Sequence, residues 1–140
     1  MKPFVLDCSV TMSWCFKDEH DDYAEHCLRL LEDGEAVVPS LWALEVMNVL
    51  LTAERRARLT PRESEEFIGL LGLLPITIDP LPGISTRVLD LGRLHQLSAY
   101  DAAYVELALR KGLPMATQDE PVRRVLNSLG IEIVPGGPNP

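Results

Sequence analysis

The amino-acid sequence predicts an α/β fold, a largely parallel sheet with helices on both faces. Three observations predict it. Short apolar, β-branched runs alternate along the chain with longer stretches of helical periodicity. Proline, glycine and N-capping residues fall between those stretches. The 140 residues, 46% hydrophobic and 24% charged, suit one domain that encloses a real core.

The elements follow in order. Phe4 to Leu6 reads as a first strand, and Asp21 to Glu32 as a helix that ends near Gly34. Ala36 to Val38 is a second strand. Leu41 to Arg58 and Pro61 to Leu74 are two helices, the second opened by Thr60-Pro61-Arg62-Glu63. That tetrapeptide combines an N-cap hydroxyl, proline at the first helical position and a glutamate that closes a capping box. Ile76 to Ile78 reads as a third strand, and Ile84 to Leu94 and Ala99 to Lys111 as helices. Pro114 to Ala116 is a fourth strand, Pro121 to Leu129 a helix, and Ile131 to Val134 a last strand. Gly112 and Gly130 stand where helices should stop, because glycine accepts a left-handed C-cap. Residues 1–134 are expected to form the domain and 135–140, rich in proline and glycine, a flexible tail.

Charge and cysteine narrow the function. A net charge of −8 excludes coating DNA or an anionic membrane by bulk attraction. Any nucleic-acid contact must then be local. The chain reaches Asp7 too soon for a secretory signal, and no window of about 18 apolar residues offers a membrane span. Cys8, Cys15 and Cys27 form no C-x-x-C pair, which argues against a disulfide scaffold or zinc cluster and for a reducing cytoplasm.

In open parallel sheets, ligands bind outside the carboxyl ends of the strands. Asp7 follows the first strand directly, and Asp119 lies just past the fourth. Glu45 and Asn48 are the polar residues after Ser40 in the otherwise apolar run from Val37 to Leu51, three apart and so on one helix face. Asp101 has a similar setting between Leu97 and Val105. Carboxylates in such places need a partner or become neutral. Two of them about 4 Å apart repel by about 4 kcal/mol at an effective dielectric of about 20. No lysine or arginine lies immediately beside Asp7, Glu45 or Asp101, so a cation is the expected answer. Hard oxygen ligands select Mg²⁺ or Mn²⁺. Such an ion polarises a phosphoryl oxygen and activates water.

Each acid also has a plainer reading. Asp7 or Ser9 caps a following helix, Ser98 and Asp101 form a capping box, Glu45 pairs with a distant arginine, and Asp119 is a loop or cap residue. The weight falls on the set of four at one edge.

These motifs resemble the PIN-domain family, especially the VapC toxins of bacterial type II toxin–antitoxin pairs. Val5 to Val10, V-L-D-C-S-V, is similar to the family's opening D-x-S. Pro39 to Leu50, P-S-L-W-A-L-E-V-M-N-V-L, resembles its second motif, and Leu97 to Val105, L-S-A-Y-D-A-A-Y-V, its third. Thr117-Gln118-Asp119 is similar to the T-x-D that closes the site. The resemblance runs from Val5 to about Val134. It implies a three-layer sandwich with four to five strands, and a metal-dependent endoribonuclease acting through metal-activated water. Asp7, Glu45, Asp101 and Asp119 would be the catalytic acids binding Mg²⁺ or Mn²⁺, with Ser9, Asn48 and Thr117 in support. It also implies a homodimer, a VapB-like antitoxin and an RNA substrate. The alternative is an inactive PIN-like interaction module.

Two other phosphoryl-transfer classes fit less well. Haloacid-dehalogenase-like phosphatases want D-x-D after the first strand, where this chain has Asp7-Cys8-Ser9. Response-regulator receivers want an acidic pair there. A nucleophilic Cys8 lacks a nearby histidine, and it reads as core. His20, His26 and His95 fall in no zinc spacing and read as surface residues. For RNA, Arg55, Arg56 and Arg58 cluster near one helix end, and Arg110-Lys111 and Arg123-Arg124 make two more basic pairs. Arg110 and Lys111 are expected to complement a helix dipole.

Overall fold

Phe4, Val5 and Leu6 are fully buried, and a strand covered on both faces belongs in the middle of a sheet. The computed structural model describes residues 3–19 and 21–135, so His20 and the tail beyond Pro135 lie outside the described residues. Strand β1 (Phe4–Leu6) pairs in parallel with β2 (Ala36–Pro39) on one side and β4 (Met115–Ala116) on the other. β3 (Ile76–Asp79) pairs in parallel with β2, giving the order β3-β2-β1-β4. The fold is the expected α/β arrangement of a parallel sheet flanked by helices.

The chain leaves β1 toward β2 and β3, then returns past β1 to place β4 on its far side. The carboxyl ends of β1 and β4 therefore frame the switch point, where a ligand crevice is expected. Val5 lies opposite Met115 and Leu6 opposite Ala116, so Asp7 and Thr117 come next to each other.

Helices α2 (Asp22–Leu30), α3 (Leu41–Arg55), α4 (Pro61–Leu71), α5 (Thr86–His95), α6 (Ala99–Lys111) and α7 (Glu120–Ser128) match the expected segments, α6 with the same bounds, α2, α3 and α4 shorter, and α5 and α7 shifted at their ends. The capping box at Thr60 and Glu63 forms in both directions. Gly112 and Gly130 take the left-handed conformation, with φ of 62° and 71°. The apolar run Phe67 to Leu74 divides. Phe67 is buried, Leu71 and Leu74 pack on the core, and Ile68, Leu70 and Leu73 face outward.

Three expectations are corrected. A further helix, α1 (Cys8–Ser13), follows β1 immediately, and the sequence reading has no element there. Cys8 therefore opens a helix, and it is buried in the core as expected. The last strand shrinks to one bridge, Met115 to Ile133, because β4 is only two residues long and offers little edge to pair with. The helix expected to reach Arg58 stops at Arg55. Ala57 is left-handed at φ 58°, and its N–H bonds Glu54 O at 3.0 Å while Arg58 N–H bonds Ala53 O at 2.8 Å. That pair of bonds is a Schellman stop built on alanine rather than glycine.

Candidate functional site

Asp7 is 8% exposed, and its backbone N–H joins the sheet by bonding Ala116 O at 3.0 Å. Its Oδ2 accepts two hydroxyls, Thr117 Oγ1 at 2.7 Å and Ser9 Oγ at 2.9 Å. Both donors follow from local folding. Ser9 sits in the first turn of α1, and Thr117 leaves the neighbouring strand in register with Asp7. Asp7 occupies the N-cap position of α1, but its side chain makes no cap bond. The carboxylate instead accepts the Ser9 and Thr117 hydroxyls.

Glu45 stands on α3. It pairs with no arginine; its Oε1 accepts the Tyr104 hydroxyl at 2.6 Å. Trp42, one turn before it, donates its indole N–H to Thr11 Oγ1 at 3.0 Å, and Thr11 in turn donates to the Asp7 carbonyl at 3.2 Å. This buried chain of bonds fixes α3 against α1, and hence Glu45 against Asp7. Sequence reasoning quoted Trp42 and Tyr104 as motif letters and gave neither a role. The available signal was spacing: Tyr104 lies three residues after Asp101, on the same face of α6.

Asp101 stands in the first turn of α6, its N–H bonded to Ser98 Oγ at 3.1 Å. Asp119 is the N-cap of α7, with Oδ1 accepting Val122 N–H at 3.0 Å and its own N–H on Thr117 Oγ1 at 3.1 Å. Ser98 thus caps α6 and Asp119 caps α7. The Ser98 side chain also bonds the Asp101 carboxylate and lowers its pKa, while Asp119 commits Oδ1 to its cap.

The acids feel one another. Burial pushes Asp7 above the ordinary carboxylate range; bonds from Thr117 and Ser9 oppose this, and the Asp119 charge adds to it. Burial raises Glu45 too, opposed by the Tyr104 bond and reinforced by Asp7 and Asp101. Asp101 is raised by burial, then by Asp119 and Asp7. Among the described residues, none of the four acids forms an ion pair with a lysine, arginine or histidine. Also among the described residues, no three His, Cys, Asp or Glu side chains close into a ready-made metal cluster. The donor chemistry nonetheless fits a hard divalent cation: oxygen ligands only, mutually repelling, without compensating cations.

Asn48 is exposed on α3 and lines a cavity of about 220 Å³ with Phe16, Thr52 and Arg58. Arg55 and Arg56 are exposed. Arg58 is turned back by Ala57 over the Phe16 ring at 4.3 Å and pairs with Asp18 and Glu19 at 3.4 Å each. Arg110 serves a buried ion-pair network with Asp79 and Glu106 rather than only a helix dipole. The Cys8 thiol is pushed up to about 12 by burial and by the Glu45 and Asp7 charges, which leaves no thiolate for attack.

A family model for the PIN domain matches residues 4–126. Among solved structures, the chain is similar to PAE2754 from Pyrobaculum aerophilum, with a TM-score of 0.63 and 16% identity over 92% of this chain and 96% of that one. It is also similar to VapBC2 from Rickettsia felis, solved bound to a DNA fragment from their promoter. That match has a TM-score of 0.69 and 12% identity over 94% of this chain and 96% of that one. No curated protein matches in sequence. At such identities the structural likeness speaks for the fold.

Proposed function

The chain belongs to the PIN-domain family, and from that premise we propose that it is a metal-dependent endoribonuclease, the toxin of a VapBC-type toxin–antitoxin pair. PIN domains are generally nucleases. One observation carries the reading for this chain: the charges of Asp7, Glu45, Asp101 and Asp119 act on one another at the carboxyl edge of the sheet, and among the described residues none of the four forms an ion pair with a protein cation. The four would hold Mg²⁺ or Mn²⁺, which supplies a Lewis acid for the phosphoryl oxygen and activates the attacking water.

The chain's own residues prepare the place. Ser9 and Thr117 spend both hydroxyls on one Asp7 oxygen, which fixes the carboxylate and leaves Oδ1 outside those two bonds. Tyr104 does the same for Glu45. Its phenol stays protonated, since burial and then the Glu45 contact raise its pKa. RNA binding falls to local features. The exposed Arg55 and Arg56 remain candidates, with Arg58 drawn partly away by its acidic partners. The likeness to VapBC2 supports a VapB-like antitoxin as partner, and a homodimer belongs to the same reading. No described helix is long and apolar enough to cross a membrane.

The direct test incubates purified protein with a mixed RNA pool in Mn²⁺ or Mg²⁺, beside Asp101→Asn and a chelator control. Cutting that vanishes in both controls is the expected result. Cutting that persists in chelator would overturn the metal, and its persistence in Asp101→Asn would overturn the site. A second expectation concerns Tyr104→Phe. Loss of the 2.6 Å bond leaves Glu45 unoriented and harder to ionise, so metal affinity should fall about 10- to 100-fold. Calorimetric titration with Mn²⁺ reads this, and an unchanged dissociation constant would remove Tyr104 from the site.

A further inference from the structure

Asp7 and Asp119 are both held through Thr117, so whatever holds Thr117 governs the site. Thr117 is fully buried and follows a strand of only two residues at the sheet edge. Its hydroxyl donates to Asp7 and accepts from the Asp119 N–H. Its carbonyl accepts from Arg123 Nε at 2.7 Å, a short charge-assisted bond. The same arginine's backbone N–H bonds Asp119 O at 2.9 Å, and its guanidinium lies over the Tyr23 ring at 4.8 Å. One residue on α7 thus grips the turn at both ends, while Tyr23 on α2 supports it from beneath. Ser13 Oγ adds a longer bond of 3.3 Å to Gln118 Oε1 in the middle of the turn.

We propose that Arg123 is a positioning residue, holding the Thr117–Asp119 turn and, through the Thr117 hydroxyl, the Asp7 carboxylate. The proposal rests on the reading of the four carboxylates as a metal site. It also reassigns Arg123, expected from sequence as half of a basic pair open to RNA. Of that pair only Arg124 is left exposed. A lysine could not replace Arg123 fully, because its point charge lacks the planar fork that both donates to Thr117 and stacks on a ring.

The test compares the full chain with Arg123→Ala, Arg123→Lys and Tyr23→Leu by calorimetric Mn²⁺ titration and amide hydrogen exchange. Arg123→Ala should raise the Mn²⁺ dissociation constant about 10- to 100-fold, and Arg123→Lys less. The Asp119 amide, whose acceptor is Thr117 Oγ1, should exchange faster while the Ala36 amide in β2 keeps its protection. Tyr23→Leu should move both readouts the same way by a smaller amount, and it serves if Arg123→Ala does not fold. Wild-type Mn²⁺ affinity and unchanged Asp119 exchange in Arg123→Ala would overturn the proposal. So would weaker RNA binding with unaltered metal affinity, which would make Arg123 a backbone contact. If the wild-type protein takes up no Mn²⁺ at all, the metal reading fails, and the Asp119 exchange still decides whether the clamp exists.

Discussion

Replacing Asp7 by asparagine should abolish most RNA cleavage and, in chelator at neutral pH, make the protein melt at a higher temperature. The two effects have one cause. Asparagine keeps an oxygen that can accept the Ser9 and Thr117 hydroxyls now on Oδ2, so the local bonds survive. What disappears is a buried negative charge facing Glu45, Asp101 and Asp119. For cleavage, losing a metal ligand removes several kcal/mol of transition-state stabilisation, on the order of a thousandfold in rate. For stability, the sign follows from Asp7's raised pKa. As pH rises from the ordinary carboxylate value, the unfolded chain releases its proton before the folded one does. Stability of the metal-free wild type therefore falls as pH rises through the folded pKa. Glu45 and Asp101 are raised as well and push the same way. The asparagine variant lacks the Asp7 share of that loss, so its advantage should shrink as pH drops below about 4, where both forms are neutral. Adding Mn²⁺ should reverse the order. Only a protein that binds the ion gains stability by mass action, about 2.7 kcal/mol at a hundred times the dissociation constant. Thermal melts with and without Mn²⁺ across pH check this. A variant that melts lower than wild type in chelator would show the Asp7 charge to be compensated by something other than a metal.

The sequence carried the fold and the positions of the acids because both depend on local pattern. Phe4 to Leu6 is short, apolar and followed at once by Asp7, which alone places an acid at a strand's carboxyl end. Glu45 is legible as a charge in an apolar helix, and the structure turns it toward Tyr104 rather than solvent. The parts that stayed illegible depend on contacts between distant segments or on non-glycine backbone choices. Helix α1 buries Cys8, Val10, Thr11 and Met12 in six residues, so it shows no polar face to betray a helical period. Ala57 turns the chain in a conformation that sequence signals assign to glycine, which carried the arginine cluster too far along α3. The Trp42–Thr11 bond spans 31 residues, and the Thr117–Asp7 bond 110. No local pattern encodes such partners, although register between β1 and β4 makes the second inevitable once the sheet is known.

Arg110→Ala should be the most damaging single change to stability away from the acids. Asp79 ends β3 and lies at the same edge as Asp7, yet it is neutralised: Arg110 Nη1 and Nη2 each approach its oxygens at 3.2 Å, and Lys111 stands at 3.5 Å. Arg110 Nε meanwhile bonds Glu106 at 2.7 Å. The side chains of Asp79 and Glu106 are only 7% and 3% exposed, so one guanidinium compensates two buried carboxylates. Removing it strands both, and breaking a buried pair in this way costs about 3–5 kcal/mol. For a chain of this size that is a fall of about 10 °C or more in Tm. The pH dependence should change sign as well. Burial acts to raise the Asp79 pKa, but the Arg110 and Leu81 bonds and the Arg110 and Lys111 charges hold it below the ordinary value. In the wild type this contribution is present above the unfolded pKa and is lost as pH falls through the folded one. Without Arg110 burial dominates, the carboxyl becomes easier to protonate in the fold, and the gap between variant and wild type should narrow in acid. Chemistry should be spared. Arg110 lies nine residues beyond Asp101, about 13.5 Å along α6, so the fraction that remains folded should bind Mn²⁺ as tightly as the wild type. Melts from pH 7 down to about pH 3, with Mn²⁺ titration well below the midpoint, separate these claims. A loss under about 1 kcal/mol would mean that Lys111 or solvent already satisfies the two acids. Weakened Mn²⁺ binding in the folded fraction would mean that α6 transmits the damage along its length, tying the ion-pair network to the site it was expected only to support from a distance.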